Sequence, residues 1–297
     1  MVRTSDQRLV IVTGAGGHIG REVCRVLKTN GRDVLAVDVD GDAAEGVVVC
    51  DLRSPEEVLR LFEDRGVRAV IHLAAILPSA FELEPFSGVD VNLTACFELL
   101  RRAVKARVKR FVFASSMSVY GSLRAGDFVR EDDPAVPDDP YGPAKRVVEV
   151  IGETLARRRE IEFVSLRIAR VVGLGIKKTS SPWRSQIFER SRGRDAIQIP
   201  FAPGARLSIV HAEDVARMLV TLADAGEVRK PIYNNAAEIW EARTLKELVE
   251  EVRGLRVELG SEGVHGGAIC DGGRFAQEFG FQLRGLRERL FAQRKRN

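Results

Sequence analysis

The chain has 297 residues, 45% of them apolar, and its 46 basic and 42 acidic residues leave a formal charge of +4. That length suits one main α/β domain with a small appendage, and the near-cancelling charge, with no Lys/Arg run in the middle of the chain, argues against a nucleic-acid partner. No apolar stretch reaches the roughly 18 residues needed to span a bilayer, and Cys24, Cys50, Cys96 and Cys270 have no metal-binding or disulfide spacing. A cytoplasmic protein without metal or membrane partner is expected.

Short β-branched runs alternate with amphipathic stretches. Leu9–Thr13, Val34–Asp38, Val47–Cys50, Ala69–Leu73, Arg110–Ala114 and Phe163–Arg167 read as strands; Gly17–Thr29, Pro55–Asp64, Asp90–Ala106 and Tyr141–Arg158 read as helices. Inner strands that are apolar throughout, joined by helical crossovers, describe a doubly wound parallel sheet of the Rossmann type. The expected division is 1–170 for dinucleotide binding and catalysis. Residues 171–297 are expected to form a small C-terminal substrate-binding subdomain, part lid and part elements returning to the core. Within that part Gly173–Pro182 reads as loop, Trp183–Arg192 as helix, and Ile197–Pro203 and Leu207–Val210 as short extended pieces. The basic end, 284–296, reads as a solvated helix face.

The first strand opens into Gly14-Ala15-Gly16-Gly17-His18-Ile19-Gly20 and then into a helix. Glycines let the backbone turn sharply and approach a pyrophosphate, whose charge the helix N-terminus meets. Gly14, Gly17, His18, Ile19 and Gly20 are therefore candidate cofactor contacts. Asp38 ends the second strand eighteen positions beyond Gly20, where a carboxylate accepts from both ribose hydroxyls and favours NAD over NADP. The competing reading is a solvated loop, since Asp40 and Asp42 follow. Asp51 and Leu52 end the third strand and Leu73, Ala74 and Ala75 the fourth, places suited to the adenine edge and to a close backbone approach to the cofactor.

Ser116 lies near the end of the fifth strand, and Tyr141-Gly142-Pro143-Ala144-Lys145 follows 25 residues later. On a helix Tyr141 and Lys145 stand one turn apart on one face, so the ammonium is expected to lower the phenol pKa and let it take a hydroxyl proton. Taken singly, Lys145 reads as a solvated lysine and Ser116 as a strand-end cap.

From Leu9 to about Val172 these motifs resemble, in content, order and spacing, the extended short-chain dehydrogenases of the NAD-dependent epimerase/dehydratase family. The match takes in the glycine loop, Asp38, Asp51-Leu52, His72-Leu73-Ala74-Ala75, Asn92, the Ser-Ser and Val-Tyr-Gly strand end, and the Tyr-x-x-x-Lys helix. The resemblance implies NAD as cofactor, Asn92, Tyr141 and Lys145 as further cofactor contacts, and Ser116, Tyr141 and Lys145 as the catalytic set. It also implies a homodimer formed through the helices Asp90–Ala106 and Tyr141–Arg158.

Family dehydratases carry an Asp-Glu pair directly after the catalytic Ser/Thr; here Met117 and Ser118 stand there, which argues against dehydration and decarboxylation. What remains is a nucleotide-sugar epimerase of the 4-epimerase type working through a 4-keto intermediate, or an NAD-dependent dehydrogenase of a small sugar, uronate or sugar acid. A non-catalytic NAD-sensing regulator is a third reading, against which the intact Ser-Tyr-Lys set stands. Ser118, Arg170 and Arg206 are the candidate substrate contacts. Arg170 occupies a position that is commonly Asn in UDP-sugar epimerases, and it suits a phosphate, a carboxylate or merely an acidic neighbour. Arg206 suits a diphosphate or a surface ion pair.

Overall fold

The apolar run Leu9–Thr13 forms an inner strand of a seven-stranded sheet because Val10, Ile11 and Val12 are covered on both faces. The computed structural model describes residues 9–41, 46–176, 181–189, 196–261, 263 and 265–295. The expected polar start Met1–Arg8, Asp42, and residues 190–192 of the expected helix lie outside the described residues.

Sheet order is Ile232–Asn234, Glu162–Ile168, Arg110–Ser116, Val67–His72, Leu9–Thr13, Asp33–Asp38, Val48–Val49. The first strand pairs in parallel with both the second and the fourth, so the chain winds outward one way and then the other. This is the doubly wound arrangement. Its switch point, where ligands of open α/β sheets sit, lies beyond Thr13 and His72.

The helices follow their apolar spacing. His18–Thr29 buries Gly20, Val23, Cys24 and Leu27, and Tyr141–Arg157 buries Tyr141, Ala144, Lys145, Val148, Glu149 and Gly152, each set at three-and-four intervals. Helix Pro55–Arg60 begins on Ser54, whose Oγ accepts the Glu57 N–H at 3.3 Å, with Pro55 in the first turn. Arg110, buried at the start of its strand, donates to the Leu222 and Ala225 carbonyls at 2.7 and 2.6 Å and so closes the end of helix Ala212–Asp224.

Two compact units result. The first takes in Met1–Val119, Pro137–Arg167 and Ala216–Tyr233; its core includes Ile11, Val37, Val70, Leu99, Phe111 and Phe163. The second takes in Tyr120–Val136, Ile168–Val215 and Asn234–Asn297, and has its own apolar cluster with Trp183, Phe188, Ile199, Leu207, Leu248 and Leu290. It holds a three-stranded sheet, Glu238–Glu241, Arg206–His211 and Arg170–Val172.

Several expectations are corrected. Asp90–Ala106 is not one α-helix: Asp90–Ala95 is a π-helical turn, and the α-helix begins at Cys96. The helix from Trp183 ends at Gln186 within the described residues. The basic C-terminal helix, Leu286–Lys295, is not simply a solvated face, because Arg289 is buried and meets Glu213 at 2.7 Å and Asp214 at 2.8 Å. Spacing alone gave no sign of those acids. No helix among the described residues is long and apolar enough to cross a membrane.

Candidate active site

Gly14 has φ of 69°, and a Cβ there would meet the Ala74 backbone nitrogen at 2.8 Å; at Gly20 a Cβ would lie 2.1 Å from the Gly14 carbonyl oxygen. Only glycine lets the first turn, the first helix and the fourth strand's end approach this closely. Helix His18–Thr29 starts on Gly17 with no side-chain cap and no acid in its first turn, so its N-terminus is suited to a phosphate. Burial, then Arg21, lowers the pKa of His18 below the ordinary histidine value.

Asp38 closes on this loop. Its Oδ2 accepts the Gly16 N–H at 2.9 Å and its Oδ1 accepts the Asp40 N–H at 3.2 Å, so the carboxylate faces the glycine turn rather than a fully solvated loop. Each carboxylate oxygen keeps a second lone pair for ribose hydroxyls. Asp51 is turned to Arg53 at 2.6 Å, whose hydrogen bond outweighs burial and holds the Asp51 carboxyl below its ordinary range. Leu52 is buried beside it. Leu73 and Ala74 N–H groups both reach Thr13 Oγ1, at 3.3 and 3.4 Å, and Ala75 continues the same turn.

Asn92 stands in the π-helical turn and is buried. Its Oδ1 accepts the Ile76 N–H at 2.8 Å and its Nδ2 donates to the Ile76 carbonyl at 2.9 Å. π turns recur at functional sites because they re-aim one side chain. This one aims Asn92 at the loop after the fourth strand, so its contact is with the loop backbone.

The three expected catalytic side chains all belong to the first unit. Ser116 ends its strand; its Oγ donates to Ser118 Oγ at 3.1 Å and accepts the Ser118 N–H at 3.1 Å, which makes Ser118 its immediate neighbour. Tyr141 and Lys145 share the buried face of helix Tyr141–Arg157, whose first turn is held by Asp139 accepting the Gly142 N–H at 2.6 Å. A Cβ at Gly142 would meet the Ser118 carbonyl oxygen at 2.5 Å, so glycine lets the serine turn lie against the helix start.

One expectation reverses. Lys145 Nζ donates to the Ala114 carbonyl at 2.9 Å and sits 4.7 Å from the Phe113 ring centroid and 5.4 Å from that of Tyr141. Burial, then Asp139, pushes the Tyr141 phenol up rather than down, and burial pulls Lys145 down to about 8. Desolvation outweighs the lysine's attraction for the phenolate.

One turn further, Glu149 accepts from Arg167 Nε and Nη2 at 3.0 and 2.8 Å, from Ser165 Oγ at 3.1 Å and from Arg146 at 3.0 Å. Burial opposes its charge, but the Arg167 hydrogen bonds prevail and lower its pKa. This braces the helix carrying Tyr141 and Lys145.

In the second unit, Arg170 lies with its guanidinium 4.7 Å from the Phe201 ring centroid, and Arg206, exposed, lies 4.8 Å from that of Phe128. Among the described residues Arg206 thus meets an aromatic ring and no carboxylate. Thr13, which positions the Leu73–Ala74 backbone, was missed by the sequence reading because it reads only as a strand terminus.

A glycine turn at the switch point, an acid ending the second strand and a Ser–Tyr–Lys set on the fifth strand and following helix are the features of extended short-chain dehydrogenases. The model of the NAD dependent epimerase/dehydratase family matches residues 10–236, and the chain belongs to that family. It is 31% identical over 173 residues to a UDP-glucose 4-epimerase of Lactobacillus helveticus, covering 55% of this chain and 52% of that one. A D-erythronate dehydrogenase of Cupriavidus necator is 28% identical over 233 residues, 71% of this chain and 70% of its own length. The UDP-glucose 4-epimerase of Thermus thermophilus, solved as a complex with NAD, has a TM-score of 0.82 over 97% of this chain and 98% of its own, at 24% identity, a likeness of fold. The chain spans about half the length of the epimerase relatives it matches.

Proposed function

We propose that this chain is an NAD-dependent nucleotide-sugar epimerase of the 4-epimerase type. The observation that carries the reading is the presence, in one unit, of Ser116, Tyr141 and Lys145 together with a glycine turn that excludes side chains. The cofactor fits Gly14, Gly17, His18, Ile19 and Gly20 at its pyrophosphate and Asp38 at its ribose. Asp51 and Leu52 suit its adenine, Leu73, Ala74 and Ala75 suit its backbone approach, and Asn92 holds the last of these segments in place. When bound, NAD supplies the two-electron acceptor and a positively charged ring.

Tyr141 takes the proton of the substrate hydroxyl, and Ser116, with Ser118 behind it, orients the same oxygen. Because burial raises the Tyr141 phenol, its ionisation depends on positive charge near it, which Lys145 provides from the same helix face. Lys145 also suits the nicotinamide ribose. Met117 and Ser118 supply no added acid and base for loss of water, so the substrate carbonyl made by oxidation is either reduced again or released.

Release defines the second reading, a dehydrogenase of a small sugar, uronate or sugar acid. It is favoured by the erythronate dehydrogenase relative, aligned over more of its length than the epimerases, and by Arg170, suited to a carboxylate. One experiment tests both: the purified protein is incubated with NAD and a panel of nucleotide sugars and sugar acids while 340 nm absorbance and product stereochemistry are followed. The epimerase reading requires interconversion of epimers without net NADH. Stoichiometric NADH from a sugar acid, with no epimer formed, overturns it.

A cytoplasmic homodimer completes the proposal. Val147, Val150 and Ile151 expose an apolar stripe on helix Tyr141–Arg157, and Phe86 is 87% exposed on helix Pro85–Val89. A second copy suits such a face. Light scattering of the wild type and of Ile151→Glu tests it; a monomeric wild type rejects it.

A further inference from the structure

Within the first unit, Gly16 is held by two side chains of opposite charge. Its N–H donates to Asp38 Oδ2 at 2.9 Å, and its carbonyl accepts from Arg21 Nη1 at 2.5 Å. Contacts through one shared residue keep the carboxylate and the guanidinium less than about 10 Å apart. They nevertheless form no ion pair with each other. No side chain at position 16 separates them, and a Cβ there would already lie 3.2 Å from Asp38 Oδ2.

Glu22, the acid next to Arg21 on helix His18–Thr29, pairs instead with Arg25 at 2.8 Å. Among the described residues no carboxylate pairs with Arg21, and its guanidinium makes one hydrogen bond, the one to Gly16. A guanidinium carries five N–H donors in a planar fork, so the Gly16 carbonyl leaves most of them for a ligand. That fork matches two oxygens of a phosphate and binds them with charge-assisted hydrogen bonds. Bracing one carbonyl needs neither the charge nor the remaining donors.

We propose that Arg21 and Asp38 together read the 2′ position of the adenosine ribose: Asp38 takes a hydroxyl, Arg21 takes a phosphate, and the chain accepts NADP as a second cofactor. The proposal rests on the reading of Asp38 as the ribose contact and goes beyond it, because a lone carboxylate only repels the phosphate. Asp40, exposed on the same turn, adds a second negative charge, its N–H donating to Asp38 Oδ1 at 3.2 Å. NAD therefore remains the tighter cofactor, and Arg21 limits the preference.

The test is calorimetric titration of the full chain with adenosine 5′-monophosphate and with adenosine 2′,5′-bisphosphate, which differ only in the 2′-phosphate. Wild type, Arg21→Gln, Asp38→Asn and the double variant are compared. Glutamine keeps an N–H donor for the Gly16 carbonyl and removes the charge, so the ligand-free proteins should melt within a few degrees of one another. Arg21→Gln is expected to weaken the bisphosphate at least about fivefold more than the monophosphate. In the Asp38→Asn background, where repulsion is reduced, the selective loss should reach about tenfold. Titration with NADP and NAD should follow the same order. A selective loss below fivefold in both backgrounds means that Arg21 only braces the glycine turn, and it overturns the proposal, as does a bisphosphate that none of the four proteins binds. Asp38→Asn that changes neither probe's affinity overturns the ribose reading and the proposal with it, whereas a missing Arg21 effect beside an intact Asp38 effect overturns the proposal alone.

Discussion

Thr13 Oγ1 lies 2.7 Å from His72 Nδ1, across the adjoining ends of the two parallel strands that flank the switch point. The same oxygen accepts the Leu73 and Ala74 N–H groups, so its own proton points to the imidazole, and His72 carries its proton on Nε2. Both side chains are buried. The pair fixes the backbone that Gly14 must approach, and it does so only while His72 is neutral.

Burial, then Lys145, pulls His72 down to about 3. A folded-state pKa below the ordinary 6.5 contributes stability that is present above pH 6.5 and lost as pH falls toward 3, at up to about 1.4 kcal/mol per pH unit for one proton. Urea unfolding between pH 7.5 and 5 is expected to show falling stability below 6.5, with His18 adding the same sign. His72→Gln should be less stable at pH 7.5 and show a shallower slope. An equal slope in that variant removes His72 as the acid-sensitive group.

Tyr141→Phe deletes the proton acceptor alone, and it should leave NAD affinity within a few fold while turnover falls by roughly 100-fold or more. Retained turnover would free Tyr141 of its role.

Lys145→Met carries a different signature. It removes a charge whose burial lowers its own pKa to about 8, so the cofactor-free protein is expected to melt higher even as turnover and NAD binding both weaken. Differential scanning calorimetry and cofactor titration read the two effects independently, and a lower melting temperature would place the lysine among the stabilising groups of the fold.

Glu149 and Arg167 form a buried bidentate pair at 3.0 and 2.8 Å. Arg167→Leu strands the carboxylate and should cost about 3–5 kcal/mol, whereas Arg167→Leu combined with Glu149→Leu should recover most of that loss. Denaturant unfolding of both variants decides it; a double variant no better than the single one means that the remaining partners, Ser165 and Arg146, dominate.

Much of the first unit was legible because each strand is a short β-branched run and each helix buries a three-and-four stripe, as in Gly20, Val23, Cys24 and Leu27. The candidate site was legible where chemistry and turn geometry coincide in sequence, at Gly14 to Gly20 and at Tyr141 with Lys145. Periodicity could not reveal the π turn at Asn92, which keeps an apolar helical pattern while inserting a residue. Nor could it show the direction of the Tyr141 shift, since spacing places Lys145 on the same face but says nothing of the burial that raises the phenol. Arg289 looked solvated for the same reason: its acids, Glu213 and Asp214, lie more than seventy positions away.

Cofactor choice rests on Asp38. Its carboxylate is oriented by the Gly16 N–H at 2.9 Å, and a Cβ on Gly16 would lie 3.2 Å from Oδ2, so loop and acid are in close contact. A negative group held at the end of the second strand accepts from two ribose hydroxyls and repels a 2′-phosphate. The protein is therefore expected to bind NAD more tightly than NADP, by about 1.4 kcal/mol for each tenfold of preference. Asp38→Asn keeps an oxygen for the Gly16 N–H and removes the charge. It should weaken NAD modestly, strengthen NADP and leave the melting temperature of the cofactor-free protein within a few degrees of the wild type. Fluorescence titration of both proteins with both cofactors, beside a melting curve, separates the two duties of this side chain. Equal wild-type affinities, with a large drop in melting temperature for the variant, would mean that Asp38 serves the glycine turn and does not select the cofactor.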